Sequence, residues 1–216
     1  MRIHYYSGWF DEALPEQMLD LLRRDLIERK SLALVWGCWA LDEYVGIVKD
    51  KWFDPANIVF DEYHAIDPRM PKEEMHTVLK DASAILMMGG DTVPQNAFLT
   101  EYELAAPIRE SNAAVIMGFS AGANNMGVKS VCAKYYVPDK FETWVAIDGL
   151  GLDSFAYEPY FNLDKTRLIQ NELLPLSQKM DVYATSAGSF MRVEEGKVTV
   201  VGDGYLFSGG EMKKIG

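Results

Sequence analysis

The sequence is poor in cysteine and histidine. Its 216 residues include two cysteines, Cys38 and Cys132, and three histidines. The two cysteines do not have the spacing of metal ligands, and so low a cysteine content is typical of a reducing compartment. We therefore expect no metal site and a cytoplasmic location.

Long apolar runs are also absent. No run approaches the ~20 residues needed to cross a bilayer. The N-terminal sequence MRIHYYSGWFDEALPEQ lacks the charged and apolar regions of a secretory signal. We therefore expect no association with a membrane.

Basic residues are in the minority. Lys and Arg number 21 against 32 Asp and Glu, which gives a net charge of −11. No basic cluster is present that could follow a phosphate backbone, so nucleic acid is excluded as a partner. A hydrophobic content of 49% with 25% charged residues is typical of a globular protein. At this length we expect a single domain over residues 1–216.

Short apolar runs alternate with amphipathic segments along the chain. Buried strands are predicted at 31–36, 57–60, 84–88 and 114–117, and helices at 14–29, 72–80 and 96–109. Strands joined through helices need crossover connections, so we predict an α/β fold with a mostly parallel sheet and helices on both faces. Short strands at 181–184, 190–193 and 197–201 predict antiparallel strands at one edge of that sheet.

The segment GFSAG, residues 118–122, follows the strand predicted at 114–117. A Gly-x-Ser-x-Gly sequence between a strand and a helix is typical of a nucleophile elbow, in which a sharp turn exposes the serine hydroxyl. A structural Ser-Gly turn is the alternative. The context favours Ser120 as a nucleophile at the carboxyl end of the sheet.

A second glycine turn follows the strand predicted at 84–88. Gly89 and Gly90 fall at the same edge of the sheet, where open α/β sheets bind ligands. The backbone N–H groups of Gly90 and Ala121 are therefore candidate donors of an oxyanion hole. Taken alone, the Gly89-Gly90 pair would indicate only a turn.

The order of five segments resembles the peptidase E family of serine peptidases, which includes cyanophycinase. These segments are MGGDT, GFSAGAN, GLGLDSFAYEPYFN, TSAGSF and GDGYLFSGGE, and the resemblance covers most of the chain from Leu32 to Glu211. It implies a fold similar to class I glutamine amidotransferases, with Ser120 as nucleophile and Gly90 and Ala121 as oxyanion donors. It also implies a small peptide or related small molecule as ligand and no cofactor.

Two positions depart from the family pattern. Tyr160 stands where the family has its catalytic histidine, and Ala187 stands where the family has the acidic residue that orients it. A serine without a base stays protonated and weakly nucleophilic. Phenols ordinarily titrate near ~10, so a tyrosine is a poor substitute at neutral pH.

The three histidines are candidates for the missing base. His64 follows the strand predicted at 57–60 and would lie at the correct edge, although a solvated loop explains it equally well. His76 is predicted on a helix as a surface or packing residue, and His4 lies in a first short strand. Asp148 and Glu158 are expected to be solvated loop carboxylates.

Two further groups of residues are relevant to ligand binding. Trp36 and Trp39 could line a pocket at the ligand edge, although core packing is the commoner role of such residues. Lys165 and Arg167 follow Tyr160 in the segment where family members that prefer an acidic N-terminal residue use a cationic partner.

Two functions remain open from the sequence. The first is a peptidase-E-like serine hydrolase acting through Ser120. The second is a catalytically impaired relative that binds a small peptide, an acidic metabolite or a protein partner in the same cleft. The aromatic content also permits a homodimer.

Overall fold

The computed structural model describes residues 2–36, 41–132 and 145–216. In chain order the strands are β1 (Ile3–Ser7), β2 (Ser31–Val35), β3 (Glu62–Ile66), β4 (Ala84–Met87), β5 (Val115–Phe119), β6 (Gly127–Cys132), β7 (Val145–Asp148), β8 (Asp153–Glu158), β9 (Val182–Thr185), β10 (Phe190–Glu194), β11 (Lys197–Val201), β12 (Gly204–Ser208) and β13 (Glu211–Lys214). The α-helices are α1 (Glu16–Asp25), α2 (Leu41–Ile47), α3 (Lys72–Asp81), α4 (Thr92–Glu101), α5 (Ala105–Arg109), α6 (Ala121–Met126), α7 (Thr166–Leu168) and α8 (Leu174–Ser177). A π-helical segment continues α2 (Val48–Phe53), and another joins α7 to α8 (Ile169–Leu173).

A central sheet has the strand order β11-β10-β1-β5-β4-β2-β3. The five strands from β1 to β3 in this order are parallel, and β10 and β11 pair antiparallel beyond β1. Hydrophobic clusters lie on both faces: Met18 and Leu22 of α1 belong to one, and Met75 of α3 and Phe98 of α4 to the other. The predicted α/β class, with a mostly parallel sheet between helices, is confirmed.

A second sheet has the order β13-β12-β9-β8-β6-β7. Its middle strands β9, β8 and β6 are parallel, and the outer pairs are antiparallel. Phe155 and Tyr157 of β8 join the hydrophobic cluster that contains α3 and α4, so this sheet packs on that side. The prediction of antiparallel strands at one sheet edge is right for β10 and β11, whereas β9, β12 and β13 belong to the second sheet.

Two element predictions were wrong. Residues 57–60 form no strand: Asn57 has a left-handed backbone with a φ of 57°, and Ile58 and Phe60 reach the core from an irregular segment, so the strand begins only at Glu62. The helix predicted at 96–109 is two helices, because the chain turns at Glu103 with a φ of 53°. Apolar periodicity alone does not reveal either break.

The topology brings the loops after β1, β4 and β5 to the same edge of the central sheet. Strands β1, β4 and β5 are parallel neighbours, and the register pairs Ser7 with Phe119 and Met87 with Gly118. The loops after these three strands therefore leave the same edge of the sheet. None of the helices in the described ranges is long and apolar enough to cross a membrane.

Candidate active site

Ser120 lies in a tight turn between β5 and α6. Its backbone has a φ of 53° and a ψ of −114°, a combination that only glycine adopts without strain. Neighbouring backbone groups hold it there: the Ser120 N–H donates to the Ser7 carbonyl at 2.8 Å, and its carbonyl accepts from the Asn124 N–H at 3.0 Å. The half-buried Ser120 side chain therefore has a fixed place at the carboxyl edge of the central sheet.

The two flanking glycines are required by close packing. A Cβ on Gly118 would lie 2.3 Å from Sδ of Met126, and a Cβ on Gly122 would lie 2.1 Å from the carbonyl oxygen of Met87. Helix α6 therefore sits directly against β4 and β5 with no room for a methyl group. The spacing Gly-x-Ser-x-Gly has this steric cause.

The Gly89-Gly90 turn faces Ser120 from the neighbouring strand β4. A Cβ on Gly89 would lie 3.4 Å from the Ser120 Cβ, and Gly90 has a φ of 142°. The Gln95 side chain fixes the base of this turn by donating to the Met88 carbonyl at 2.9 Å. The sequence prediction that both glycine turns share one edge agrees with these contacts.

Ala121 begins helix α6 and is 1% exposed. Its N–H is among the first four of the helix, which have no carbonyl partner within the helix. The positive end of the α6 dipole therefore lies beside Ser120, where it favours negative charge.

A cavity of about 290 Å³ adjoins the serine and the glycine turn. Its lining includes Ser120, Gly89 and Gly90, together with Trp9, Asp11, Trp36 and Tyr44. Trp36 stacks on Tyr44 with ring centroids 5.0 Å apart, and Trp9 meets Tyr44 edge-on at 6.0 Å. Trp36 thus has both roles considered from the sequence, since it is 6% exposed and also lines the cavity. Trp39 lies outside the described residues, as does Cys38.

Tyr160 contacts the loop beside the serine. It follows β8 with a φ of 55°, and its ring covers Gly8 so closely that a Cβ there would lie 2.6 Å from Cε1 of the tyrosine. Its hydroxyl oxygen accepts a hydrogen bond from the Trp9 N–H. No hydrogen bond joins Tyr160 to Ser120, whose hydroxyl has no partner in the described part of the chain.

The turn that contains Ala187 lies next to the Tyr160 turn. The Phe161 N–H donates to the Thr185 carbonyl at 2.9 Å, which joins the two segments. Ser189 is buried and its carbonyl accepts from Oγ of Ser7 at 3.1 Å, whereas Ala187 is exposed. The two turns therefore lie side by side, and neither Tyr160 nor Ala187 supplies an imidazole or a carboxylate.

None of the three histidines lines the cavity. His4 on β1 bonds to Asp153 at 2.7 Å, His64 lies within β3 beside Glu62 at 3.1 Å, and His76 contacts the Tyr102 carbonyl at 2.8 Å. His64 thus lies in an edge strand and not in a loop after residues 57–60. In the described ranges, no three His, Cys, Asp or Glu side chains are grouped as metal ligands would be.

The charged residues considered from the sequence take other roles. Glu158 was expected in a solvated loop, but it is fully buried in β8 and lies 3.6 Å from the ammonium of Lys165. The exposed Asp148 pairs with Lys129. Lys165 is thus partly neutralised by a buried carboxylate, and Arg167 is exposed and does not line the cavity.

Sequence reasoning missed two residues of the cavity, namely Trp9 and Asp11. Trp9 and Asp11 belong to the loop directly after β1, and the carboxyl end of a parallel strand was the available signal. Strand β1 carries no sequence motif that marks its loop as part of the site.

Comparisons with known proteins show the family of this chain. The sequence model of Peptidase family S51 matches residues 32–201. Peptidase E of Nostoc sp. strain PCC 7120 is 25% identical over 176 residues, which are 76% of this chain and 69% of that protein. The resemblance to peptidase E seen in the sequence is confirmed.

Two solved structures share the fold. A peptidase from an acI-B1 Actinobacterium superposes with a TM-score of 0.71 at 16% identity, and the match covers 100% of this chain and 94% of that one. A protein assigned as peptidase E from Listeria monocytogenes EGD-e gives a TM-score of 0.65 at 17% identity, with coverage of 93% and 98%. At these identities the likeness concerns the fold alone.

Proposed function

Because the chain belongs to Peptidase family S51, we propose that it is a serine hydrolase that cleaves a peptide or related acyl bond at Ser120. The strained backbone of Ser120, held over the cavity beside the Gly89-Gly90 turn, is the observation that carries this proposal. Strain of this kind concentrates at functional sites, because a relaxed turn would cost less.

The proposed reaction uses three groups: the Ser120 hydroxyl and the backbone N–H groups of Gly90 and Ala121. Oγ of Ser120 attacks the acyl carbon and forms a bond to it, while the carbonyl oxygen gains negative charge. The N–H groups of Gly90 and Ala121 stabilise that charge, and the N-terminus of α6 adds to the effect. In unrelated enzymes with an oxyanion hole, removal of one donor lowers the rate by about 10²–10³-fold. Collapse of this intermediate breaks the bond to the leaving group, which departs with a proton, and water then hydrolyses the acyl-serine.

The hydroxyl proton of Ser120 must leave during this attack. One candidate acceptor is Tyr160, whose hydroxyl oxygen accepts a hydrogen bond from the backbone N–H of Trp9. Water in the open cavity is the other acceptor. Without a histidine, we expect slow acylation that becomes faster as the pH rises.

A catalytically impaired relative that binds a small peptide or metabolite in the same cavity is the second candidate. The absence of a hydrogen-bond partner for the Ser120 hydroxyl in the described residues favours it. Removing the base from a related triad costs several orders of magnitude in rate. Binding requires only the cavity and its lining.

Labelling with a fluorophosphonate, followed by intact mass, separates the two candidates. The hydrolase proposal predicts one adduct on the native chain, faster at alkaline pH, and none on Ser120→Ala. Ser208→Ala is the matched control, since Ser208 is exposed on β12 far along the chain from the turn. A folded native chain that gives no adduct, beside an active serine hydrolase that does, would leave only the binding function.

A further inference from the structure

The cavity beside Ser120 has a distinctive lining of three aromatic rings and one carboxylate. Trp9, Trp36 and Tyr44 form its apolar wall, and Asp11 is its one charged side chain in the described residues. No arginine, lysine or histidine side chain contributes to that described lining. The local charge of the cavity is therefore negative.

The aromatic wall is rigid. Trp9 packs on Trp52 with centroids 4.5 Å apart, and Trp52 is fully buried and packs on Phe119 at 4.9 Å. Since Phe119 precedes Ser120, the wall and the serine share one packed support. Packing of Trp9 on a buried ring of the core favours a fixed position of the wall relative to the serine, which lowers the ordering cost of binding.

Asp11 is available to a ligand. It is exposed at the mouth of the cavity, and it makes no hydrogen bond or ion pair with the described residues. Asp11 lines the same cavity as the Trp and Tyr rings. Proteins bind cations with carboxylates and with aromatic rings, because both the negative charge and the ring quadrupoles attract a positive group.

Within the described residues, no basic side chain lines the cavity to match an acidic ligand. Asp11 would repel a carboxylate, and Lys165 lies outside the lining, 3.6 Å from the buried Glu158. The charge of the cavity thus opposes an acidic residue next to the reacting bond.

We propose that this cavity binds a positively charged ammonium or guanidinium group, so that the acyl compound presented to Ser120 is cationic. The inference rests on the proposed function for the identity of the reacting serine. Binding of the cation is independent of turnover, so it is tested separately. The charge resides either on a basic side chain or on a free α-amino group, and the two share the same recognition chemistry.

The test is calorimetric titration of Ser120→Ala with four matched amides. N-acetyl-lysine methylamide has a side-chain cation, norleucine methylamide has an α-ammonium, N-acetyl-norleucine methylamide is neutral and N-acetyl-glutamate methylamide is acidic. We expect at least one cationic amide to bind about tenfold more tightly than the neutral one, from one exposed ion pair and one cation–π contact. Whichever cation binds more tightly identifies the source of the charge.

Two further variants isolate Asp11. In the Ser120→Ala background, Asp11→Asn is expected to reduce the preference for a cation to about threefold, which the aromatic rings supply. Glu12→Gln removes the same charge at an exposed neighbour that does not line the cavity, and it should leave the preference unchanged.

Three results would overturn the inference: equal affinity for cationic and neutral amides, tighter binding of the glutamate amide, or no binding of any of the four. An unchanged preference in Asp11→Asn would do the same. Fluorophosphonate labelling of the native chain reports on Ser120 alone. The hydrolase and the cation pocket can therefore fail independently of one another.

Discussion

Replacing both departures from the family pattern is expected to activate Ser120. The double variant Tyr160→His with Ala187→Glu puts a base and an orienting carboxylate into turns that the Phe161–Thr185 hydrogen bond holds side by side. A histidine in this role takes the serine proton, and the carboxylate fixes its tautomer and orientation. We expect faster acylation without any other change to the cavity.

The structure accommodates both substitutions. Tyr160 has a φ of 55°, and histidine is among the residues that adopt such a backbone more readily than most. Ala187 is exposed, so a glutamate there meets no packed neighbour. The main cost is the loss of the hydrogen bond that the Tyr160 hydroxyl oxygen accepts from the Trp9 N–H. We expect this loss to lower the folding stability by about 1 kcal/mol.

The expected gain in rate is up to about 100-fold. A well-placed general base contributes about 10²–10⁴-fold. Misplacement by about 1 Å costs about 100-fold, and the imidazole introduced by Tyr160→His has no tailored support over Gly8, so only part of the full effect is expected.

The assay is the rate of fluorophosphonate labelling at a series of pH values, with intact mass as the readout. The double variant should label faster than the native chain, with a rise centred near pH ~6.5, the usual pKa of histidine. Ala187→Glu alone should change nothing, and Tyr160→His alone should give less than the double variant. A folded double variant that labels no faster than the native chain would refute the placement of these turns beside the serine.

Three further predictions concern stability. Gly122→Ala should lower the free energy of unfolding by about 3 kcal/mol or prevent folding, because its Cβ would meet the Met87 carbonyl at 2.1 Å. Gly46→Ala on α2 is the control: its Cβ meets nothing within 4 Å, so this variant should be more stable by up to ~1 kcal/mol. Urea denaturation measures both changes. Burial raises the pKa of Asp25, but hydrogen bonds from Arg192, Tyr5 and Arg24 outweigh it and hold this pKa below its usual value. The stabilisation by ionised Asp25 is therefore present above pH ~4 and is lost on further acidification. Asp25→Asn should be less stable than the native chain at neutral pH, and its urea midpoint should fall less as the pH is lowered. Ser120→Gly should be more stable than Ser120→Ala by about 1 kcal/mol, and equal urea midpoints for the two variants would show that the turn stores no strain.

The sequence predicted the central sheet better than its surroundings. Runs such as 31–36 and 84–88 are buried on both faces, and continuous apolar stretches of this kind have few alternatives to a strand in a parallel sheet. The break at Glu103 and the left-handed Asn57 depend on tertiary packing, which periodicity does not encode. Strands of the second sheet have the same local pattern as edge strands, so only their partners distinguish them.

Some residues of the candidate site could likewise be predicted from the sequence, and others could not. Ser120 and the two glycine turns could be predicted because strand ends fix their location, and sharp turns demand small residues. Asp11 and Trp9 could not, since they follow a strand, β1, that has no motif of its own. A residue that acts through cavity position alone leaves no local signature in a single sequence.

The strained turn bears directly on the choice between hydrolysis and binding. A residue at a φ of 53° and a ψ of −114° costs about 1–3 kcal/mol unless it is glycine. Glycine already stands at 118 and 122, where packing requires it, yet serine stands at 120, where glycine would cost less. Packing therefore does not explain the serine, whereas a reacting hydroxyl does. A binding cavity walled by Trp9, Trp36 and Tyr44 has no need of that hydroxyl, so a measured strain at Ser120 would favour hydrolysis, however slow, over binding alone.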